Sequence, residues 1–233
     1  MTSIVAIRQD NKIYIAADGR LSAGHQAVDH KYCKLLTSAK NGFTVVATAG
    51  YAADITITRD FMHRWSDMIT DLQTQDKFEA ETFLELQKRD MSLGEYMVNF
   101  FDEYVDYVMG RWKLVEPSGE TERGSFSIVA GPSGLYEVNP DGFIRPIKDY
   151  ISIGSGSDGA ISYLDLKLDE QLKLGVNPEV LARDAIIFTS KRDGGTNSNI
   201  MSFVVEIKDE HKGYMDNYFN VAVAEGGEEF YRE

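Results

Sequence analysis

Two apolar runs joined by a tight turn open the chain, and they constrain the fold more than any other feature. Residues 3–8 and 12–17 are almost continuously apolar, and Asp10-Asn11 lies between them as a turn pair. A strand with one face in water alternates apolar and polar residues, whereas a strand covered on both faces does not. FTVVATAG (43–50) has the same character. The pattern therefore predicts sheets that other layers cover on both faces.

Helical periodicity supplies the first covering layer. Apolar residues recur at intervals of three and four over residues 61–72, and a second helix is predicted to begin at Ser92, where Glu95 completes a capping box. The charged segment 73–90 between them predicts either a third short helix or a surface excursion.

Strands and then helices return in the second half. Strands are predicted at 125–130, 135–138 and 143–147, and the turn sequence NPDG joins the last two. One helix follows over residues 161–172, and another begins with the cap Asn177 and with proline in its first turn.

The chain closes with a strand at 201–207 and a further one expected near 215–223. No linker or internal repeat divides the sequence, so we predict a single domain over residues 1–233 with an extra charged segment near 73–92. The order of elements predicts the α+β class, as a four-layer αββα sandwich of two antiparallel sheets flanked by helices.

The composition disfavours several classes of partner and site. The net charge of −13 disfavours a nucleic-acid or anionic-membrane partner, because electrostatic attraction would be absent. The single cysteine, Cys33, suits a reducing compartment, and with no signal segment or membrane-spanning run predicted, we expect a cytoplasmic protein. The four histidines are scattered without metal-ligand spacing, so no metal site is expected.

The segment GSGSDG (154–159) matches the glycine pattern of dinucleotide-binding folds. That fingerprint normally follows the first strand of a parallel unit and is followed by an acidic residue at the end of the next strand. Here the corresponding region is the helical PEVLARD, and too little chain remains for the rest of such a fold. A nucleotide site is therefore disfavoured.

Thr2 is a candidate nucleophile. Methionine is normally trimmed when a small residue such as threonine follows it, which would leave Thr2 at the mature amino terminus. A hydroxyl is a weak nucleophile at neutral pH, but an N-terminal threonine carries its own base, because the α-amine has a reference pKa of about 7.7 to 8.0. A nearby lysine would favour the neutral amine and stabilise the developing alkoxide.

The N-terminal sequence resembles a known family. The stretch from Thr2 through IAADGRLSAG and HKYCKLL to TAGYAAD is similar to the proteasome β subunits and the HslV peptidase, in the N-terminal nucleophile (Ntn) hydrolase superfamily. In that family an aspartate follows the catalytic threonine by sixteen residues and a lysine follows after sixteen more, and Thr2, Asp18 and Lys34 match both spacings. Any one of these residues alone could be structural; their joint spacing favours the resemblance.

The resemblance implies a threonine endopeptidase without a cofactor. It assigns the oxyanion N–H to Gly50, contact with the terminal amine to Ser155 in IGSG, and orientation of that amine to Asp193. Arg192 and Asp193 match a conserved family pair, and Thr196 stands where the family usually has serine, which keeps the hydroxyl.

The resemblance also implies where substrate binds. It places five uncharged residues near the pocket for the residue that precedes the scissile bond: Leu21, Tyr32, Leu36, Thr48 and Ala52. The segment Ser22-Ala23-Gly24 resembles the one that pairs with substrate backbone as an added strand. By the same resemblance we expect a homo-oligomeric ring of six or seven members, single or stacked, that is served by an ATP-dependent unfoldase and takes peptides or proteins as substrates.

Two other functions stay open at this point. The chain could be a catalytically silent ring or scaffold protein that keeps the fold, or an Ntn amidase that acts on a small molecule, since fold alone does not fix the substrate.

Overall fold

A computed structural model describes residues 2–23, 26–37, 44–74, 93–115 and 124–207 of the chain. The strands in the described residues are β1 (Ile4–Gln9), β2 (Lys12–Asp18), β3 (Leu21–Ala23), β4 (Gln26–Asp29), β5 (Leu35–Thr37), β6 (Val45–Ala49), β7 (Phe126–Gly131), β8 (Gly134–Val138), β9 (Ile144–Ile147), β10 (Tyr150–Ile153) and β11 (Ile200–Glu206). The helices are α1 (Ala52–Thr74), α2 (Leu93–Val115), α3 (Ser157–Lys173) and α4 (Pro178–Ser190).

The strands form two large antiparallel sheets. One has the order β10-β1-β2-β11, and the other has the order β5-β6-β7-β8-β9. A separate pair, β3 and β4, lies outside both sheets. The β1–β2 hairpin turns where predicted, and Asp10 takes a positive φ of 54° there, a conformation that aspartate tolerates better than most residues.

Side chains divide the molecule into four layers. Alternate residues of each strand point to opposite faces, so Ile4 of β1 and Ala47 of β6 lie in a core between the two sheets, together with Ile128 of β7. On the outer face of the first sheet, Val5 packs with residues of α3 and α4. On the outer face of the second, Val46 packs with residues of α1 and α2. The predicted αββα sandwich of antiparallel sheets is confirmed.

The local predictions were largely correct. All four predicted helices are present, and Asn177 caps α4 by accepting a hydrogen bond from Glu179 N at 2.9 Å. Ser92, most of the 73–90 segment and the strand expected near 215–223 lie outside the described residues. The sequence analysis did not predict β3, β4 and β5, which have three, four and three residues, because so few residues show no periodicity.

Candidate active site

Thr2 is held at both ends of its backbone, just before β1. Its N–H donates to Ser155 Oγ at 3.2 Å, and its carbonyl oxygen accepts from Gly156 N at 3.2 Å. The residue is 4 % exposed. Terminal residues are usually loose unless something fixes them. Here the turn after β10 fixes Thr2.

That turn requires glycine. Gly154 has a φ of +97°, and a Cβ built on it would lie 2.2 Å from the carbonyl oxygen of Thr2. Neither the backbone conformation nor the space suits another residue. The IGSG sequence therefore lets the turn approach the amino-terminal backbone closely.

A buried ion pair lies next to Thr2. Lys34 Nζ is 2.8 Å from Asp18 Oδ1, and the two side chains are 1 % and 0 % exposed. The same oxygen accepts from Ser3 N at 2.8 Å, so Asp18 links the lysine ammonium to the backbone of the residue after Thr2. Burial lowers the pKa of Lys34 from its ordinary value, although Asp18 opposes the shift by attraction and by its hydrogen bond.

Backbone donors complete the shell of Asp18. Its Oδ2 accepts from Arg20 N at 2.9 Å and from Asn197 N at 3.4 Å, and Asn197 comes from the loop before β11. A buried charge is tolerated only when it is paired and hydrogen-bonded, and Asp18 meets both conditions. The carboxylate therefore ties β2, Lys34 and the loop before β11 to the amino terminus.

A second polar group holds the partner of Thr2 N. Asp193 Oδ2 accepts from Ser155 Oγ at 2.8 Å and from Thr196 Oγ1 at 2.7 Å, and Oδ1 accepts from Gly195 N at 2.9 Å. Burial works to raise the pKa of Asp193, but these hydrogen bonds outweigh it, and the pKa lies below its ordinary value. Asp193 therefore remains a carboxylate that holds Ser155 against Thr2 N.

Gly50 directly follows β6 and lines the same site. Its φ is +141°, and a Cβ built on it would lie 2.1 Å from Ser125 Oγ. That hydroxyl accepts from Tyr51 N at 2.9 Å, which fixes the peptide that follows Gly50. The role of Ser125 was not predictable from the sequence, because a serine at the start of a strand carries no signal of a partner 74 residues away.

Of the residues expected in the specificity pocket, Tyr32, Leu36 and Thr48 lie beside α1. Leu36 packs in the outer core with α1, and the ring of Tyr32 lies 5.1 Å below the guanidinium of Arg59 on α1. Leu21 is half-buried in β3, Ser22 Oγ accepts from Arg20 Nε at 3.1 Å, and Ala52 is exposed where α1 begins. Gly24 lies outside the described residues.

Thr48 belongs to a closed ring of buried hydroxyls. Its Oγ1 is 3.4 Å from Thr58 Oγ1 and 3.0 Å from Ser127 Oγ, and Tyr104 OH closes the ring at 3.3 Å from Thr58 and 2.9 Å from Ser127. All four residues are fully buried. Each hydroxyl can donate once and accept once around the ring, so Thr48 is already satisfied without a substrate.

An open cleft of about 420 Å³ begins at Thr2 and lies between β10 of the first sheet and strands β6 to β8 of the second. Its lining includes Thr2, Gly50, Phe126, Glu137, Ser152 and Ser155. Within the described ranges, no group of three or more His, Cys, Asp or Glu side chains could hold a metal ion. Also within those ranges, none of the helices has the length and apolar character needed to cross a bilayer.

Comparisons with known proteins give relatives in sequence and in fold. The family model for proteasome subunits matches residues 1–95. The chain is 26 % identical to proteasome subunit beta type-2 of Saccharomyces cerevisiae over 241 aligned positions, which cover 99 % of this chain and 78 % of the relative. It is 23 % identical to a proteasome subunit beta of Nanoarchaeum equitans, with 82 % of each chain covered.

Solved structures share the fold. HslV from Trypanosoma brucei matches 88 % of this chain and 99 % of its own, with a TM-score of 0.59 and 19 % identity. BPH from Thiobacillus denitrificans, solved in complex with epoxomicin, matches 89 % and 100 % with a TM-score of 0.60 and 18 % identity. The resemblance seen in the N-terminal sequence is confirmed: the chain is similar to proteasome β subunits in sequence and shares the fold of HslV.

Proposed function

We propose that this chain is a threonine peptidase that uses Thr2 as its nucleophile after Met1 has been removed. One observation carries the proposal: the buried Lys34–Asp18 pair binds Ser3 N and the Ser155–Asp193 pair binds Thr2 N, so both pairs meet the backbone just before β1. The homologues favour the same chemistry, because they belong to a family of peptidases.

Removal of Met1 turns the nitrogen of Thr2 from an amide into an amine, 3.2 Å from Ser155 Oγ. The amine then takes the hydroxyl proton of the same residue, directly or through a water, while Thr2 Oγ attacks the peptide carbonyl carbon. The ammonium of Lys34 favours the neutral amine and stabilises the developing negative charge. Asp18 keeps that ammonium in place.

The tetrahedral oxyanion would accept a hydrogen bond from Gly50 N. A preorganised donor of this kind contributes on the order of 10² to 10³ in rate. The C–N bond then breaks, the departing amine takes the proton from the Thr2 ammonium, and an ester links the acyl half of the substrate to Thr2. Water hydrolyses this ester, and the carboxylic acid product leaves with the hydroxyl of Thr2 restored.

We further propose that the residue before the scissile bond lies over Leu21, Tyr32, Leu36, Thr48 and Ala52, and that it is neutral. The satisfied hydroxyl of Thr48 supports this, because it leaves that wall without a hydrogen-bonding group that needs a partner. From the likeness to proteasome subunits, we propose a homo-oligomeric ring of six or seven copies, single or stacked, with an ATP-dependent unfoldase as partner.

Two measurements test the catalytic proposal. Intact mass of the purified full chain is expected to show loss of Met1, and a fluorogenic peptide is expected to be cleaved. Thr2→Val is the matched control, because valine has the shape of threonine without its hydroxyl, and it should lose turnover while keeping the fold. A chain that retains Met1 and cleaves nothing would favour the silent scaffold, whereas turnover of small amides alone would favour an amidase.

A further inference from the structure

The cleft at Thr2 lies on the opposite side of β6 from the proposed specificity pocket. Thr48 and Ala49 are consecutive, so their side chains point to opposite faces of the sheet. Thr48 contacts Thr58 on α1, whereas Ala49 lines the cleft. Because the acyl half of the substrate is proposed to bind on the α1 side, the cleft is available to the half that follows the scissile bond.

Glu137 is the one ionisable side chain that lines the cleft among the described residues. It pairs with Ile128 across β7 and β8, and Ile128 lies in the core between the sheets, so Glu137 faces the same inner space. It is only 8 % exposed. A carboxylate at such a position is costly unless it has partners.

Arg145 binds only one of the two oxygens of that carboxylate. Its Nε donates to Glu137 Oε2 at 2.9 Å, and its Nη2 lies 2.6 Å from the same oxygen. Within the part of the chain that the structure describes, Oε1 receives no hydrogen bond. The Arg145 side chain is 55 % exposed, so the guanidinium reaches the carboxylate from the solvent side. One oxygen of this largely buried carboxylate is left to accept a donor that enters the cleft.

We infer that this cleft binds a Lys or Arg side chain of the substrate, on the residue that follows the scissile bond, with Glu137 Oε1 as the acceptor. A cation fits better than a neutral donor, because hydrogen bonds between two charged groups are stronger than neutral ones. The volume of about 420 Å³ lies in the range of pockets that hold small ligands. This inference rests on the proposed function, because it takes Thr2 as the nucleophile.

The test uses pairs of internally quenched peptides that differ only at the residue after the scissile bond, lysine in one and norleucine in the other. The ratio of kcat/KM for the two is measured with the full-length protein. We expect wild type to favour lysine about five- to tenfold, and Glu137→Gln to bring the ratio to about one. Each ratio is internal to one variant, so a partial loss of folded protein cancels.

Two further variants sharpen the result. Arg145→Gln keeps the carboxylate but removes its neutralising partner, so the preference for lysine should increase. Glu170→Gln removes an exposed carboxylate of α3 that pairs with Lys167, and it should leave the ratio unchanged. A role of Glu137 in folding alone would not move the ratio in opposite directions in Glu137→Gln and Arg145→Gln.

A peptide amide with a neutral dye as leaving group separates the two proposals. If wild type cleaves it and Thr2→Val does not, the proposed function stands, and an unchanged lysine-to-norleucine ratio in Glu137→Gln then overturns the cleft assignment alone. If cleavage does not depend on Thr2, both the proposed function and the cleft assignment are overturned.

Discussion

The ion pair between Lys34 and Asp18 makes the sharpest prediction about stability. Lys34→Met leaves the Asp18 carboxylate buried without its counter-charge. Breaking a buried pair by removing one partner typically costs about 3 to 5 kcal/mol. Asp18 still accepts from the backbone N–H groups of Ser3, Arg20 and Asn197, so we expect a loss near the lower end, about 3 kcal/mol.

Asp18→Asn should cost more than Lys34→Met. In one orientation of the asparagine amide, its NH₂ group faces Ser3 N, and in the other it faces Arg20 N, so two donors oppose each other either way. The Lys34 ammonium also loses its counter-charge in a site that already lowers its pKa. We expect a loss of about 4 to 5 kcal/mol.

Urea denaturation at pH 7 measures these losses, at low salt and at 1 M salt. Salt screens exposed charges strongly and buried pairs weakly, so the loss in Lys34→Met should be similar in both. Lys167→Met is the matched control, because Lys167 forms a half-exposed pair with Glu170 at 3.2 Å, and its loss should fall within the error of the measurement. A loss in Lys34→Met no greater than in Lys167→Met would refute the burial argument.

Three further predictions concern other groups of the site. Gly50→Ala should lower kcat by a factor on the order of 10² to 10³, because the alanine Cβ would meet Ser125 and shift the N–H that binds the oxyanion. An unchanged kcat would exclude that N–H from the reaction. The lowered pKa of Asp193 stabilises the fold at pH values above the ordinary aspartate pKa of 3.8. The difference in unfolding free energy between wild type and Thr196→Val should therefore be present at pH 7 and shrink as the pH falls below 3.8. A difference that stays constant with pH would contradict this. Thr48→Val should cost about 1 to 3 kcal/mol in urea denaturation, because it opens the hydroxyl ring, and no loss would mean that the ring is not closed in solution.

Features set by nearby residues were predictable from the sequence. The β1–β2 hairpin follows from two apolar runs and one turn pair, and α4 follows from Asn177 and Pro178 at its start. The convergence of Asp18 and Lys34 beside Thr2 was predicted only through the resemblance, because nothing in their spacing alone requires contact.

Features that depend on distant partners were not predictable. Asn197 reaches Asp18 across a separation of 179 residues, and Ser125 meets Tyr51 across 74. Neither contact leaves a periodic pattern in the chain. In the sequence, Glu137 has the pattern of an ordinary strand residue, and it lines a cleft only because of the way the two sheets pack.

The most direct test of the account is to trap the covalent intermediate. A peptide ester that acylates quickly and deacylates slowly is mixed with the full chain, and the modified residue is located by fragment mass spectrometry. The account predicts one acyl group, on the hydroxyl of Thr2, and only on chains that have lost Met1. An acyl group on any other residue, or turnover by chains that keep Met1, would contradict it.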